Sequence, residues 1–314
     1  MSLESGEESS RTITESLSKG IADPRLYYAT AEDRYYAMEY EASTERGLLK
    51  NPSSYARMLR EHALDADVRT AIVSIGCGDA RTDAALLQKL DGATHETSFL
   101  GVDLSRGMLE NAAGRLRQAK FPWSLLHADF QRKTSRKEID DATADAKRRI
   151  FLFLGNTFSN ATPQETVPAL GSSLRRDDYL LFDIFTRTGT TQKDDDALRE
   201  MYWKDFTTPS ERAFMLSPLL ELGIDVKHGE LKLETAVEPQ TRALQLTFRF
   251  VFTQTVTATY AGLSHTFAAG DGLRLFQFHV YDVEGLLTYL DEHNLQSVCV
   301  RKEGREALIL ARCS

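Results

Sequence analysis

Five short apolar segments between residues 70 and 184 alternate with amphipathic segments, and this alternation constrains the fold more than any other feature. We interpret these segments as strands over residues 70–75, 98–102, 125–127, 149–154 and 178–184. Buried strands joined by helices are typical of βαβ units, which build a parallel sheet covered on both faces. The sequence therefore predicts a doubly wound α/β domain.

The pattern changes after Gly189, where the apolar residues begin to alternate with a period of two. Between residues 231 and 267 this period predicts antiparallel strands with one buried face, with a hairpin turn at Pro239. Two further short strands, at 297–301 and 307–311, flank a turn sequence and predict a terminal antiparallel hairpin. We expect a sheet domain over 62–188 and 278–314, and an α+β lid over 21–61 and 189–277. Residues 1–20 are rich in Ser and Glu and predict a disordered tail.

Composition excludes several classes of partner. The chain has 314 residues, and 38 Lys and Arg against 46 Asp and Glu give a net charge of −8. We expect no nucleic-acid partner and no membrane span, because neither a basic balance nor an apolar run of about 20 residues is present. Three distant cysteines without a CxxC pair argue against a disulfide framework and a metal site and suit a cytoplasmic protein. The oligomeric state cannot be predicted.

Glycines and carboxylates follow the first three predicted strands in a definite order. Gly76 and Gly78 lie in the turn after the first strand, where a ligand can approach the main chain closely. Asp103 ends the second strand and can accept hydrogen bonds from ribose hydroxyls. Asp129 and Phe130 follow the third strand and can bind an adenine amino group and cover the ring. This is the order of a class I S-adenosylmethionine (SAM) site.

Each feature also has a purely structural interpretation. The glycines suit an ordinary tight turn, Asp103 suits a helix N-cap, and Asp129 suits a loop. The same turn also occurs in nicotinamide-dependent oxidoreductases, although the dinucleotide fingerprint lacks its third glycine here. A non-catalytic SAM-binding or scaffold protein is the remaining alternative.

Motifs along most of the chain resemble those of one enzyme family. They are PRLYY at 24–28, EYEASTER at 39–46, VSIGCGDART at 73–82, GVDLS at 101–105, FLGNTFSNATP at 153–163 and MYWKD at 201–205. The family is that of the SAM-dependent amino-acid Nα-methyltransferases. It includes the histidine-specific enzymes of ergothioneine biosynthesis and the fungal dimethylallyltryptophan N-methyltransferases. The resemblance implies a class I SAM-methyltransferase fold with a Rossmann-like sheet.

The resemblance also implies roles for individual residues. Those expected to bind SAM are Tyr28, Gly76, Gly78, Arg81, Asp103, Asp129 and Phe130. Those expected to contact the amino-acid substrate as catalytic residues are Tyr40, Asn160 and Tyr202. Asn160 suits this role chemically, because its amide can donate to a carboxylate and accept from an amine.

One late segment departs from the histidine-specific enzymes. Phe276 and Phe278 stand where those enzymes carry a Glu and a Ser that bind the imidazole. Phenylalanines leave imidazole hydrogen bonds unmade, at a cost of about 1–3 kcal/mol each. We therefore predict N-methylation of a small amino acid or amine other than histidine. Alternatively, both phenylalanines pack in the lid core and carry no information about the substrate.

Overall fold

The computed structural model describes residues 6–27, 51–90, 97–130, 132–155 and 157–314. In these ranges the helices are α1 Gly6–Ser18, α2 Pro52–His62, α3 Arg81–Leu90, α4 Arg106–Leu116, α5 Lys133–Ala142, α6 Thr157–Asn160, α7 Pro163–Gly171, α8 Gln192–Phe206, α9 Pro209–Met215, α10 Ser217–Glu221 and α11 Val283–Glu292. The strands are β1 Thr70–Ile75, β2 Thr97–Asp103, β3 Trp123–His127, β4 Arg148–Phe153, β5 Tyr179–Thr186, β6 Gly229–Val237, β7 Leu244–Phe252, β8 Val256–Tyr260, β9 Leu263–Phe267, β10 Gly272–Tyr281, β11 Leu295–Glu303 and β12 Glu306–Cys313. Short 3-10 helices occupy Pro24–Tyr27 and Val226–His228.

The first five strands form a parallel sheet in the order β3-β2-β1-β4-β5. Strand β12 lies antiparallel beside β5 and pairs with β11, which confirms the predicted terminal hairpin. Alternate residues of the parallel strands enter two separate cores. Helices α2, α3 and α4 cover one face, and α5, α7 and α11 cover the other. The predicted doubly wound α/β arrangement is confirmed.

The lid is joined to this sheet more closely than the sequence predicts. Strand β5 continues past the end of β4, and there Phe185 and Thr186 pair with Val280 and Tyr281 of β10. The other edge of β10 pairs antiparallel with β7, which pairs with β6. The expected antiparallel strands therefore exist, but β6 and β7 extend the main sheet, and only β8 and β9 form a separate pair. The division of the chain into a sheet domain (62–188 and 278–314) and a lid (189–277) stays a prediction, because one continuous sheet contains strands of both parts.

Two expectations about the N-terminal part need correction. Helix α1 occupies much of the predicted disordered tail, and its Ile13 and Leu17 are buried in the lid core. Those apolar residues recur at a helical spacing of four, which outweighs the polar composition around them. Helix α2, assigned to the lid, packs on the sheet through Tyr55 and Leu59. Its N-cap is Asn51, whose side chain accepts hydrogen bonds from the backbone N–H groups of Ser53 and Ser54.

Candidate active site

The turn after β1 has the backbone conformation that its glycines predict. Gly76 and Gly78 have φ values of 67° and 54°, in the left-handed region where glycine is favoured. A Cβ atom added to Gly76 would lie 2.8 Å from Cγ2 of Thr157, so the turns after β1 and β4 are in close contact. No atom of the described residues lies within 4 Å of a Cβ atom added to Gly78. Among these residues, none covers this side of the Gly78 main chain.

Asp103 fastens this turn to the end of β2. Its Oδ2 accepts a hydrogen bond from the N–H of Gly78 at 2.7 Å, and its Oδ1 accepts from the N–H of Ser105 at 2.8 Å. The side chain of Ser105, and not that of Asp103, caps α4 by accepting from Met108 N. Asp103 is therefore not the N-cap of α4, which was its alternative structural interpretation, and it instead holds the glycine turn. Each carboxylate oxygen can still accept a second hydrogen bond.

The neighbourhood of the turn is rich in carboxylates. Burial raises the pKa of Asp83 to about 6 and also raises the pKa of Asp103. Burial, followed by the charges of Asp103, Asp83 and Asp79, raises the pKa of the Cys77 thiol. A thiol in these surroundings stays protonated, which makes Cys77 a poor nucleophile.

Arg81 is held by one of these carboxylates. Its guanidinium lies 3.3 Å from Oδ2 of Asp79, which also pairs with Arg115 at 2.8 Å. The Arg81 side chain is 53% exposed. The structure therefore places Arg81 beside the turn, paired with a residue of the turn itself.

The end of β3 meets the N-terminal segment. Asp129 lies 3.8 Å from the guanidinium groups of both Arg25 and Arg132, so its charge is partly balanced. Phe130 packs edge-on against Phe153, with ring centroids 5.1 Å apart. The structure brings Asp129 and Phe130 to the same edge of the sheet as Asp103, because their strands are parallel neighbours.

The turn after β4 carries Asn160. The N–H of Gly155 donates to Oδ2 of Asp183 at 2.9 Å, and Gly155 itself has a φ of 68°. Asn160 ends α6 and has an exposed side chain. The carbonyl of the preceding residue, Ser159, lies 3.1 Å from Nδ1 of the buried His279 on β10. The exposed amide of Asn160 thus follows a residue whose backbone is held by a buried hydrogen bond to His279.

Tyr202 lies in the lid rather than beside this turn. Its ring contacts Phe278 at 4.8 Å and Phe185 at 5.8 Å, and burial raises the pKa of its hydroxyl. Phe278 also stacks on Phe206 at 5.0 Å. Successive residues of a strand point to opposite faces, so β10 contacts Tyr202 through Phe278 and the Asn160 turn through His279. Strand β10 therefore connects the two candidate substrate residues, and no direct contact between them is seen in the described ranges.

Sequence reasoning found some of these residues and missed others. Tyr28 and Tyr40 lie outside the described residues. Asp183, His279 and Thr157 were not singled out, although all three support the Gly76 and Asn160 turns. Asp183 had a detectable signal, since a carboxylate inside an otherwise apolar strand is buried and must be hydrogen-bonded.

Two kinds of site are not found in the part of the chain that the structure describes. It contains no group of three or more His, Cys, Asp or Glu side chains able to hold a metal ion. In the same ranges no helix is both long and apolar enough to cross a membrane.

Solved structures with a similar fold include several methyltransferases. The CurJ carbon methyltransferase superposes with a TM-score of 0.50 at 11% identity, over 97% of this chain and 65% of that chain. A SAM-dependent methyltransferase from Clostridium acetobutylicum has a TM-score of 0.47 and 12% identity, over 90% and 98%. One from Bacteroides fragilis, in complex with S-adenosyl-L-homocysteine, has a TM-score of 0.38 and 15% identity, over 82% and 76%. A search of the curated proteins returns no match.

The sequence itself defines the family. A model of the histidine-specific, SAM-dependent methyltransferases matches residues 27–313, and the chain belongs to that family. The resemblance found in the sequence is confirmed. The protein is a SAM-dependent methyltransferase, and the nicotinamide-dependent alternative is set aside.

Proposed function

We propose that this methyltransferase N-methylates a small amino acid or amine other than histidine. The observation that carries the proposal is the aromatic wall formed by Phe206, Phe276 and Phe278 beside Tyr202. Two of its members replace the acid and the hydroxyl that bind imidazole in the histidine-specific enzymes. Family membership supports methyl transfer to an amine, and the wall supports a different side chain on that amine.

The alternative that these phenylalanines only fill the lid core applies to one of them. Phe278 is 1% exposed and belongs to that core. Phe276 is only partly buried and packs at its margin. In either position a phenylalanine cannot form a hydrogen bond to an imidazole. An imidazole that enters this site loses its hydrogen bonds to water and gains none from these two residues. The wall favours an apolar or aromatic substrate.

The residues around the Gly76 turn suit SAM. No described residue blocks the approach of a nucleoside to the Gly78 main chain, and the carboxylate of Asp103 has acceptor capacity for ribose hydroxyls. Asp129 and Phe130 flank the position of an adenine ring. The surrounding carboxylates favour a cationic ligand over a neutral one of the same shape. Arg81 acts through Asp79 in this proposal, by fixing the turn.

Catalysis in this site rests on positioning and on the exclusion of water. SAM, when bound, supplies an electrophilic methyl group on a sulfonium. The amide of Asn160 orients the substrate amine, and Tyr202 belongs to the aromatic wall that Phe278 of β10 joins. The amine nitrogen must be unprotonated, and its proton leaves to solvent or to Tyr40. A correctly aligned, dry site supplies much of the rate enhancement for such a bimolecular transfer.

Product analysis tests the proposal. The purified protein is incubated with SAM that carries a trideuterated methyl group and with a panel of amino acids and amines that includes histidine. Tandem mass spectrometry then locates the label. We expect label on the nitrogen of an apolar or aromatic substrate, with histidine a poor substrate. Label on oxygen or carbon, or histidine as the best substrate, would overturn the proposal.

A further inference from the structure

The turn from Leu154 to Asn160 is held at both ends by buried side chains of other elements. At its start, the N–H of Gly155 donates to Oδ2 of Asp183 on β5. At its end, Nδ1 of His279 on β10 lies 3.1 Å from the carbonyl oxygen of Ser159. Asp183 and His279 are both fully buried, so neither bond competes with bulk water.

Asp183 ties the turn to a second helix. The same Oδ2 accepts a hydrogen bond from the hydroxyl of Tyr55 on α2 at 2.6 Å. Tyr55 is also fully buried, and α2 packs on the sheet face. A buried carboxylate requires such donors, so its position is determined by both of them. The start of the turn is thereby fixed to α2 as well as to β5.

The geometry at His279 determines its tautomer. A backbone carbonyl can only accept, so Nδ1 must carry the proton and donate it to Ser159. Burial lowers the pKa of the imidazole, which keeps the ring neutral. Nε2 is then an unprotonated acceptor, and it has no hydrogen-bond partner among the described residues. The hydrogen bond to Ser159, with a smaller contribution from the backbone of Ala161, orients the ring.

The supported turn carries residues that belong to both parts of the proposed site. Its Thr157 abuts Gly76, in the turn proposed to hold SAM, and its Asn160 is proposed to bind the amine. We propose that Asp183 and His279 are positioning residues that fix this turn, and through it the Asn160 amide, in the orientation needed for methyl transfer. The link to Asn160 rests on the function proposed above.

Hydrogen–deuterium exchange of the full-length protein tests the support directly and needs no substrate. His279→Leu and Asp183→Ala remove the hydrogen bonds, whereas His279→Asn and Asp183→Asn keep a donor or an acceptor near the same place. Tyr281→Phe is the matched control, since the Tyr281 hydroxyl is buried on the same face of β10 without a partner in the described ranges. Leu286→Ala controls for a general loss of stability.

We expect amides 155–160 to exchange at least tenfold faster in His279→Leu and Asp183→Ala. The Asn variants and Tyr281→Phe should stay within threefold of the wild type. If Asp183→Ala fails to fold, Tyr55→Phe loosens the same carboxylate and should accelerate exchange at Gly155. Unchanged exchange in His279→Leu, or an equal local increase in Leu286→Ala, would overturn the proposal.

Steady-state kinetics then separate positioning from stability. With the amine identified by product analysis, His279→Leu should lower kcat/KM for the amine at least tenfold and leave the KM for SAM within twofold. His279→Asn should restore most of the loss. A rise in KM for both substrates with kcat unchanged would contradict a positioning role. If the wild type transfers no methyl group to any amine, the proposed function fails, while the exchange result still decides whether the two residues hold the turn.

Discussion

The carboxylate of Asp103 lies 2.7 Å from the backbone nitrogen of Gly78, so the end of β2 holds the glycine turn that follows β1. Its second oxygen holds the start of α4 through Ser105 N. One side chain therefore sets the relative positions of two neighbouring loops at the carboxyl edge of the sheet. This edge is where ligands bind in open α/β sheets.

The two glycines of the turn should respond differently to alanine. In either alanine variant, the left-handed backbone conformation costs about 1–2 kcal/mol. Gly76→Ala also places a methyl group against Thr157, so the melting temperature of this variant should fall further than that of Gly78→Ala. Gly78→Ala meets no atom of the residues that the structure describes, but its methyl group enters the space proposed for the nucleoside. We measure the affinity for S-adenosylhomocysteine by calorimetric titration and the melting temperature of each variant. For each degree of lost melting temperature, Gly78→Ala should lose more affinity than Gly76→Ala. The reverse order would contradict this assignment.

Asp83 should make stability fall with increasing pH. Its folded-state pKa is about 6, against an ordinary value of 3.8, so the folded protein binds its proton more tightly than the unfolded chain does. This contribution is complete below about pH 4 and is lost as the pH rises through about 6, for a total of about 3 kcal/mol. Relative to the wild type, Asp83→Asn should therefore gain stability between pH 4 and 8. Urea unfolding at both pH values measures this, and a pH-independent difference would contradict it.

Phe278 and Phe276 should separate lid stability from substrate choice. Phe278→Ala leaves a cavity in the lid core and should cost about 3–5 kcal/mol of unfolding free energy. Phe276→Ala should cost less, because its side chain is only partly buried, and should change the ranking of amine substrates. Leu263→Ala, at an exposed lid position, is the control and should change stability by less than about 0.5 kcal/mol. If Phe276→Ala leaves the ranking unchanged, that phenylalanine has no part in specificity.

Gly114 offers a simple stabilising substitution. It lies at an exposed position inside α4, and an added Cβ would meet no described residue outside the helix within 4 Å. Alanine in a helix interior is favoured over glycine by about 0.8–1 kcal/mol. Gly114→Ala should therefore raise the denaturation midpoint without changing activity. A lower midpoint would show that the α4 backbone needs glycine for a reason absent from the static structure.

The sequence predicts the parallel sheet well, because buried strands and helices have clear periodicities. The strands around residues 73, 100 and 151 alternate with helices, and the turn glycines and Asp103 fall where that alternation places them. The lid is less predictable, since pairing of β10 with both β5 and β7 depends on contacts distant in sequence. Helix α1 was not predicted, because the segment is mostly polar and only Ile13 and Leu17 indicate a buried helix face. The role of His279 could not be predicted, because its hydrogen-bond partner Ser159 is 120 residues away in the sequence and comes close only in the folded chain.

Binding of S-adenosylhomocysteine to the wild type, Asp103→Asn and Glu110→Gln tests the account most directly. Asp103→Asn places an amide N–H2 against one of two backbone N–H groups and removes an acceptor for ribose, whereas the exposed Glu110 lies on α4 outside the proposed site. Isothermal titration should give a dissociation constant at least tenfold weaker for Asp103→Asn, or about 1.4 kcal/mol. Glu110→Gln should bind like the wild type. Equal affinity of Asp103→Asn and the wild type would contradict placement of the adenosyl group beside Gly78 and Asp103.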